Sequence, residues 1–159
     1  MNYDEVMNKD KVDFGDMPPQ AFLLGLLSAF DNRYQSAADT FFKEITWKQY
    51  FAIICINLCK EAPTINELSE VMGSSHQNVK QILLRLEKKG FVSTVIDEKD
   101  KRKQRIVVTD AARAFMEEND NNGQQSGYII RQIFYGINEK ELMTTIQTIM
   151  KMERNLKKI

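Results

Sequence analysis

Residues 75–90 read SHQNVKQILLRLEKKG, a single helix flanked by its own start and stop signals. Ser75 is a good N-cap, because its hydroxyl accepts from an unpaired N–H of the first turn. Lys88 and Lys89 suit the negative last turn, and Gly90 stands where the chain needs a residue that tolerates positive φ. Val79, Ile82, Leu83 and Leu86 recur at i, i+3, i+4 and i+7, so one stripe faces a core. The opposite face carries His76, Gln77, Asn78, Lys80, Gln81 and Arg85 and no acid. Amides and cations of this kind read base edges and phosphates in a DNA major groove. A solvated amphipathic helix has the same look, so the neighbouring segments decide between the two.

Upstream, Thr64-Ile65-Asn66-Glu67 is a capping box that opens a short helix. Ile65, Leu68 and Met72 share one face of it, and Gly73 ends it. A short helix, a glycine-containing turn and a longer helix with a polar face form a helix-turn-helix pattern. Downstream the period changes. Residues 91–96 (FVSTVI) are β-branched and predict a strand, residues 105–109 (RIVVT) predict its partner, and residues 97–104 (DEKDKRKQ) are a charged hairpin tip. Alone, such a tip is a solvated turn. Directly after a recognition helix, the ribbon is a nucleic-acid wing.

The flanking segments read as helices. Thr46-Trp47-Lys48-Gln49 is another capping box, and the apolar run 50–59 predicts a central buried helix over 46–60. Periodicity alone also allows a strand there; the box and the length favour helix. Cys55 and Cys59 lie on one face, where helix geometry disfavours a bridge. They read as small core residues of a reduced chain, with a redox-sensing thiol as the alternative. Pro18 and Pro19 precede a predicted helix over 20–45, whose first half is apolar nearly all round. That implies burial on two sides, the second supplied by another subunit. Residues 1–16 are polar and unpatterned, and a loose attachment is expected. Thr109 or Asp110 caps a helix that runs through the weak formers of 121–127 (NNGQQSG) to Tyr135, one helix with a soft middle. Gly136 ends it, and Asn138-Glu139-Lys140-Glu141 opens a last amphipathic helix.

The chain has 159 residues, enough for one domain with a core, and net charge zero. The charge is segregated. Residues 76–105 hold nine Lys or Arg against four acids, and residues 1–20 hold five acids against two Lys. A local basic patch is what phosphate contacts need. The longest apolar stretch, 21–30, is too short to span a bilayer, and the N-terminus lacks a secretory pattern, so a cytoplasmic protein is expected. No phosphate-cradling glycine motif, Gly-x-Ser-x-Gly or His-Glu-x-x-His occurs, and a single histidine leaves little material for catalysis or a metal cluster. The expectation is no enzyme, no cofactor and no metal.

From residue 20 onward, the order of elements and four motifs in register resemble the multiple-antibiotic-resistance regulator (MarR) family. Ile45-Thr46-x-x-Gln49 is similar to its opening of helix 2, and Thr64 through Ser75 to its helix-turn-helix. Leu86-Glu87-x-Lys89-Gly90-Phe91-Val92 is similar to its join between recognition helix and wing. Asp97-x-x-Asp100-x-Arg102, followed by Thr109, is similar to its wing signature. The resemblance implies a mainly α fold with a small β-hairpin wing (α+β): one MarR-like domain over 1–159, its winged lobe at 46–109, its dimerisation region at 18–45 plus 110–159. It also implies a homodimer on an inverted-repeat operator in double-stranded DNA, a repressor relieved by a small aromatic or anionic effector. Ser75, His76, Gln77, Asn78, Lys80, Gln81 and Arg85 of the helix, with Lys101, Arg102 and Lys103 of the wing, would meet DNA. Arg102 would enter a minor groove, whose negative potential attracts a guanidinium, while Asp100 braces the tip. His76 and Lys101 stand where the family often has arginine. Tyr34, Phe41, Phe42, Trp47 and Phe51 would line the effector pocket, although aromatics at helical spacing are also plain core. The reading kept in second place is a winged-helix module whose main partner is protein and whose DNA binding is weak.

Overall fold

The computed structural model describes residues 15–40, 42, 44–121 and 124–159, without the side chains of 119–126, 128 and 129. In order, the elements are α1 (Pro19–Asp39), α2 (Trp47–Leu58), α3 (Ile65–Met72), α4 (His76–Lys88), β1 (Val92–Ile96), β2 (Gln104–Val108), α5 (Asp110–Asn121), α6 (Gln124–Ile133) and α7 (Glu139–Leu156). The chain divides after Ala112 into two compact units, the second running from Arg113 to Ile159.

Local chemistry explains most boundaries. Pro19 opens α1, where its missing N–H removes nothing. The helix is shorter than the 20–45 expected and stops at Asp39. The Thr40 hydroxyl donates to Ala37 O at 2.6 Å, and the Asp39 carboxylate accepts the Trp47 N–H at 2.5 Å. A carboxylate at a helix N-terminus is favourable, so the end of α1 serves the start of α2. In α2 the capping box closes both ways: Thr46 N–H donates to Gln49 Oε1 at 3.0 Å and Gln49 N–H to Thr46 Oγ1 at 3.4 Å. Thr64 and Glu67 do the same for α3, which ends on left-handed Gly73 at φ 59°.

At the start of α4, Ser75 Oγ accepts the Asn78 N–H at 3.3 Å. At its end, Gly90 N–H donates to Glu87 O and Phe91 N–H to Leu86 O, each at 2.9 Å, with Gly90 at φ 75°. This pair of bonds is a Schellman close, and it needs a glycine at the left-handed position. Ala52, Ile53, Leu68, Val79 and Leu86 are wholly buried, and Val92, Ile106 and Val108 of the ribbon join that core. Burying each large apolar side chain contributes about 1.5–3 kcal/mol.

The ribbon is antiparallel, with Val92 opposite Val108 and Ile96 opposite Gln104. Ile106 N–H donates to Pro63 O at 2.8 Å, which fastens β2 to the segment before α3. Thr109 ties the ribbon's end to the end of α4: its hydroxyl donates to Gly90 O at 2.6 Å and accepts the Ala112 N–H at 3.3 Å, capping α5.

In the second unit, α5 and α6 stand where one soft-centred helix is expected; residues 122 and 123 between them lie outside the described residues, as do 1–14. Gly136 has φ 78°, and Asn138 with Glu141 completes a capping box for α7.

Candidate nucleic-acid interface

Every polar residue expected on the reading face of α4 is exposed: Ser75, His76, Gln77, Asn78, Lys80, Gln81 and Arg85. The buried stripe of Val79, Ile82 and Leu86 orients that face outward. One of its amides is already positioned, since Asn78 Nδ2 donates to Ser74 Oγ at 2.8 Å across the turn. No acid interrupts the face, so a phosphate backbone meets no like charge there.

The ribbon carries a second cationic group. Arg102 extends from the tip with its side chain 92% exposed, and Lys101 and Lys103 beside it are also exposed. Asp100 Oδ1 accepts from the Arg102 backbone N–H at 3.1 Å and from its Nε at 3.3 Å, and Lys103 Nζ lies 3.9 Å from Asp100 Oδ2.

Two residues at the base of the tip, Asp97 of the wing signature and Arg105 of β2, make bonds that the sequence reading does not assign. Asp97 Oδ1 accepts the N–H groups of Lys99 and Asp100, both at 2.8 Å, while Oδ2 accepts Arg105 Nε at 2.6 Å. The Arg105 hydrogen bond, then the Asp100 N–H, holds the Asp97 carboxyl down at about 2. Arg105 Nη1 continues to Ala62 O and Glu67 Oε2, each at 3.0 Å. Glu67 is lowered as well, first by the Thr64 N–H and then by the Thr64 hydroxyl. The available clue was Arg105 alternating with buried Ile106 on a strand; its partners sit on segments that sequence spacing does not bring together.

Of the residues expected in an effector pocket, Tyr34, Trp47 and Phe51 line one cavity of about 350 Å³, together with Asp31, Lys48 and Asn78 among others. Trp47 meets Tyr34 edge-on at 4.8 Å and stacks on Phe51 at 6.0 Å. Burial pushes the Tyr34 hydroxyl up. Phe42 is absent from that lining and stacks on Tyr50 at 4.5 Å instead, and Phe41 lies outside the described residues. A neighbouring cavity of about 230 Å³ is lined by Gln81 and Arg85 among others and shares Lys48 and Asn78 with the first. Cys55 is buried and Cys59 half-buried, and both are free thiols. Burial, then the neighbouring Cys59, raises the Cys55 thiol, which disfavours the reactive thiolate. Among the described residues, no group of three or more His, Cys, Asp or Glu is placed to hold a metal ion, and no helix is long and apolar enough to cross a membrane.

A short helix, a left-handed glycine, a second helix with an outward polar face and an ordered ribbon with an exposed arginine at its tip define a winged helix-turn-helix protein. Residues 45–103, which span α2, α3, α4, β1 and the ribbon tip, match the MarR family model. The fold is shared along most of the chain with solved regulators. A MarR/EmrR family transcriptional regulator from Acinetobacter sp. ADP1 is 13% identical, with 93% of this chain and 100% of that one covered and a TM-score of 0.77. BpsR of Bordetella bronchiseptica, whose DNA binding is regulated by 6-hydroxynicotinic acid, is 18% identical, with 87% and 98% covered and a TM-score of 0.72. MepR of S. aureus, solved in a complex with DNA, is 18% identical, with 87% and 99% covered and a TM-score of 0.70. No curated protein matches the sequence.

Proposed function

We propose that this chain is a sequence-specific, double-stranded DNA-binding transcription regulator, a cytoplasmic homodimeric repressor relieved by a small aromatic or anionic effector. The observation that carries the reading is the acid-free, exposed face of α4 followed directly by a braced ribbon tip that presents Arg102. In this reading Gln77, Asn78 and Gln81 meet base edges, Lys80 and Arg85 meet phosphates, and Arg102 with Lys101 and Lys103 serves the minor groove. The aromatic cavity between α1, α2 and the start of α4 takes the effector. Its occupant would touch Asn78, an interface residue, which offers a route from ligand to DNA. We assign the chain no catalytic role. The relatives whose fold it shares are regulators, including one solved with DNA and one controlled by a small aromatic acid.

The test is fluorescence anisotropy against duplex DNA from just upstream of the chain's own gene, with a random duplex as control, across a salt series. Tight binding that prefers the upstream duplex and weakens steeply with salt is expected of a phosphate-anchored reader. Equal, weak binding to both duplexes would falsify sequence-specific reading of that region and favour a protein-binding winged-helix module.

A further inference from the structure

Arg105 is not among the residues proposed to meet DNA, yet it ties three segments together. Its Nε donates to Asp97 Oδ2 at 2.6 Å, where β1 gives way to the tip. Its Nη1 donates at 3.0 Å to Ala62 O in the loop before α3 and, also at 3.0 Å, to Glu67 Oε2 in the first turn of α3. Asp97 extends the tie, because its other oxygen gathers the N–H groups of Lys99 and Asp100. The ribbon's base has separate support from buried Val92, Ile106 and Val108 and from the bond between Ile106 N–H and Pro63 O. Arg105 is therefore not needed to hold the strands together. What it fixes is the direction in which the tip leaves the helix-turn-helix.

Its exposure argues the same way. The Arg105 side chain is 19% exposed against 92% for Arg102. Two carboxylates and a carbonyl already take three of its five N–H donors and offset its charge, so it is less available to a phosphate than Arg102. Arg102, in contrast, bonds to Asp100 and projects into solvent.

We propose that Arg105 is a positioning residue for DNA recognition: it anchors the wing tip to α3, so that Arg102 reaches DNA already oriented. A guanidinium suits the task because its planar fork serves several acceptors at once, which a lysine ammonium on a flexible stem does not. The gain is preorganisation, since a tip ordered before binding loses less freedom on binding. The proposal rests on the reading of the ribbon as a DNA arm.

The test is a double-mutant cycle on a duplex selected from a randomised pool by the parent protein. Arg102→Ala, Arg105→Met and their combination are compared by anisotropy, with Arg105→Lys alongside. Arg102→Ala and Arg105→Met should each weaken binding roughly tenfold, and the combination should be no more than about twofold weaker than either. Arg105→Lys should fail to restore affinity. Amide exchange at Lys99 and Asp100 should quicken in Arg105→Met while α4 keeps its protection. Parental affinity for Arg105→Met beside a weakened Arg102→Ala overturns the anchor and leaves the DNA arm standing. A roughly hundredfold, additive loss in the combination makes Arg105 a DNA contact in its own right and also overturns it. Full affinity in Arg105→Lys shows that charge alone is required, and it overturns the anchor too. Parental affinity for Arg102→Ala removes both the DNA arm and the anchor. If Arg105→Met shows no cooperative melt, Asp97→Asn takes its place in the cycle with the same outcomes.

Discussion

The two parts of the lobe that face outward, α4 and the ribbon tip, are held by opposite means. Helix α4 is held by packing: Val79, Ile82 and Leu86 are buried, and its polar side chains are left largely to solvent. The tip has no buried side chain of its own between Asp97 and Lys103, and it is held by charged hydrogen bonds through Asp97, Asp100 and Arg105. A reader that must present a fixed row of side chains gains from a rigid helix on a core. A tip that enters a groove has to be polar throughout, so only polar bonds are available to order it. The difference teaches that the proposed interface is stabilised by two kinds of force, and each responds to a different perturbation.

The largest expected effect comes from the packed half. Leu86→Ala removes a wholly buried side chain beneath the reading face and should destabilise the lobe by about 2–5 kcal/mol. Thermal melting should fall sharply, and DNA binding with it, because the face loses its support. A loss below about 1 kcal/mol would mean that the site collapses around the smaller side chain and that packing is not what orients α4.

The same division decides what the sequence reveals. The stripe of α4, the capping boxes of α2, α3 and α7 and the left-handed Gly73 and Gly90 are local patterns, with each partner within four residues or so. They were readable because local bonds at fixed spacing dictate them. The exposed cations of α4 and the tip were readable for the same reason. The anchor was not. Arg105 lies 43 residues from Ala62 and 38 from Glu67, separations at which spacing carries no geometry. By spacing Glu67 is only a capping residue, and it does that work while also accepting from Arg105. The end of α1 is hidden from the sequence on similar grounds, because the Asp39 bond to the Trp47 N–H competes with continued helix and depends on where the chain turns. Among the aromatics, spacing did not distinguish Trp47, which lines the cavity, from Phe42, which stacks on Tyr50.

A middle-sized effect belongs to the joint between the two halves. Thr109 donates to Gly90 O at 2.6 Å, just past α4, and caps α5 through the Ala112 N–H. Thr109→Val keeps the shape and removes both bonds. The expected loss is about 1 kcal/mol, the usual size for a deleted cap. Urea unfolding should show it as a lower midpoint with an unchanged slope. A change in slope would show that the joint shapes the compactness of one of the two states as well as its stability.

The smallest effect should separate the halves most cleanly, because acid acts on one of them. Asp97 is held at about 2 against an ordinary 3.8, and Glu67 is lowered too. A carboxylate whose folded value is depressed stabilises fully above its unfolded value, and that stabilisation is lost as pH falls through the folded one. The tip should therefore stay ordered down to about pH 4 and loosen between about pH 4 and pH 2, as Asp97 takes up its proton. The polar face of α4 contains no carboxylate and should not share this step. The amide signals of Lys99 and Asp100, which donate to Asp97, report it directly by nuclear magnetic resonance. They should titrate with a midpoint near 2 while the amides of Val79 and Ile82 stay put. A midpoint near 3.8 would show that Arg105 does not hold Asp97 in solution, and the tip would then have to be ordered by Asp100 alone.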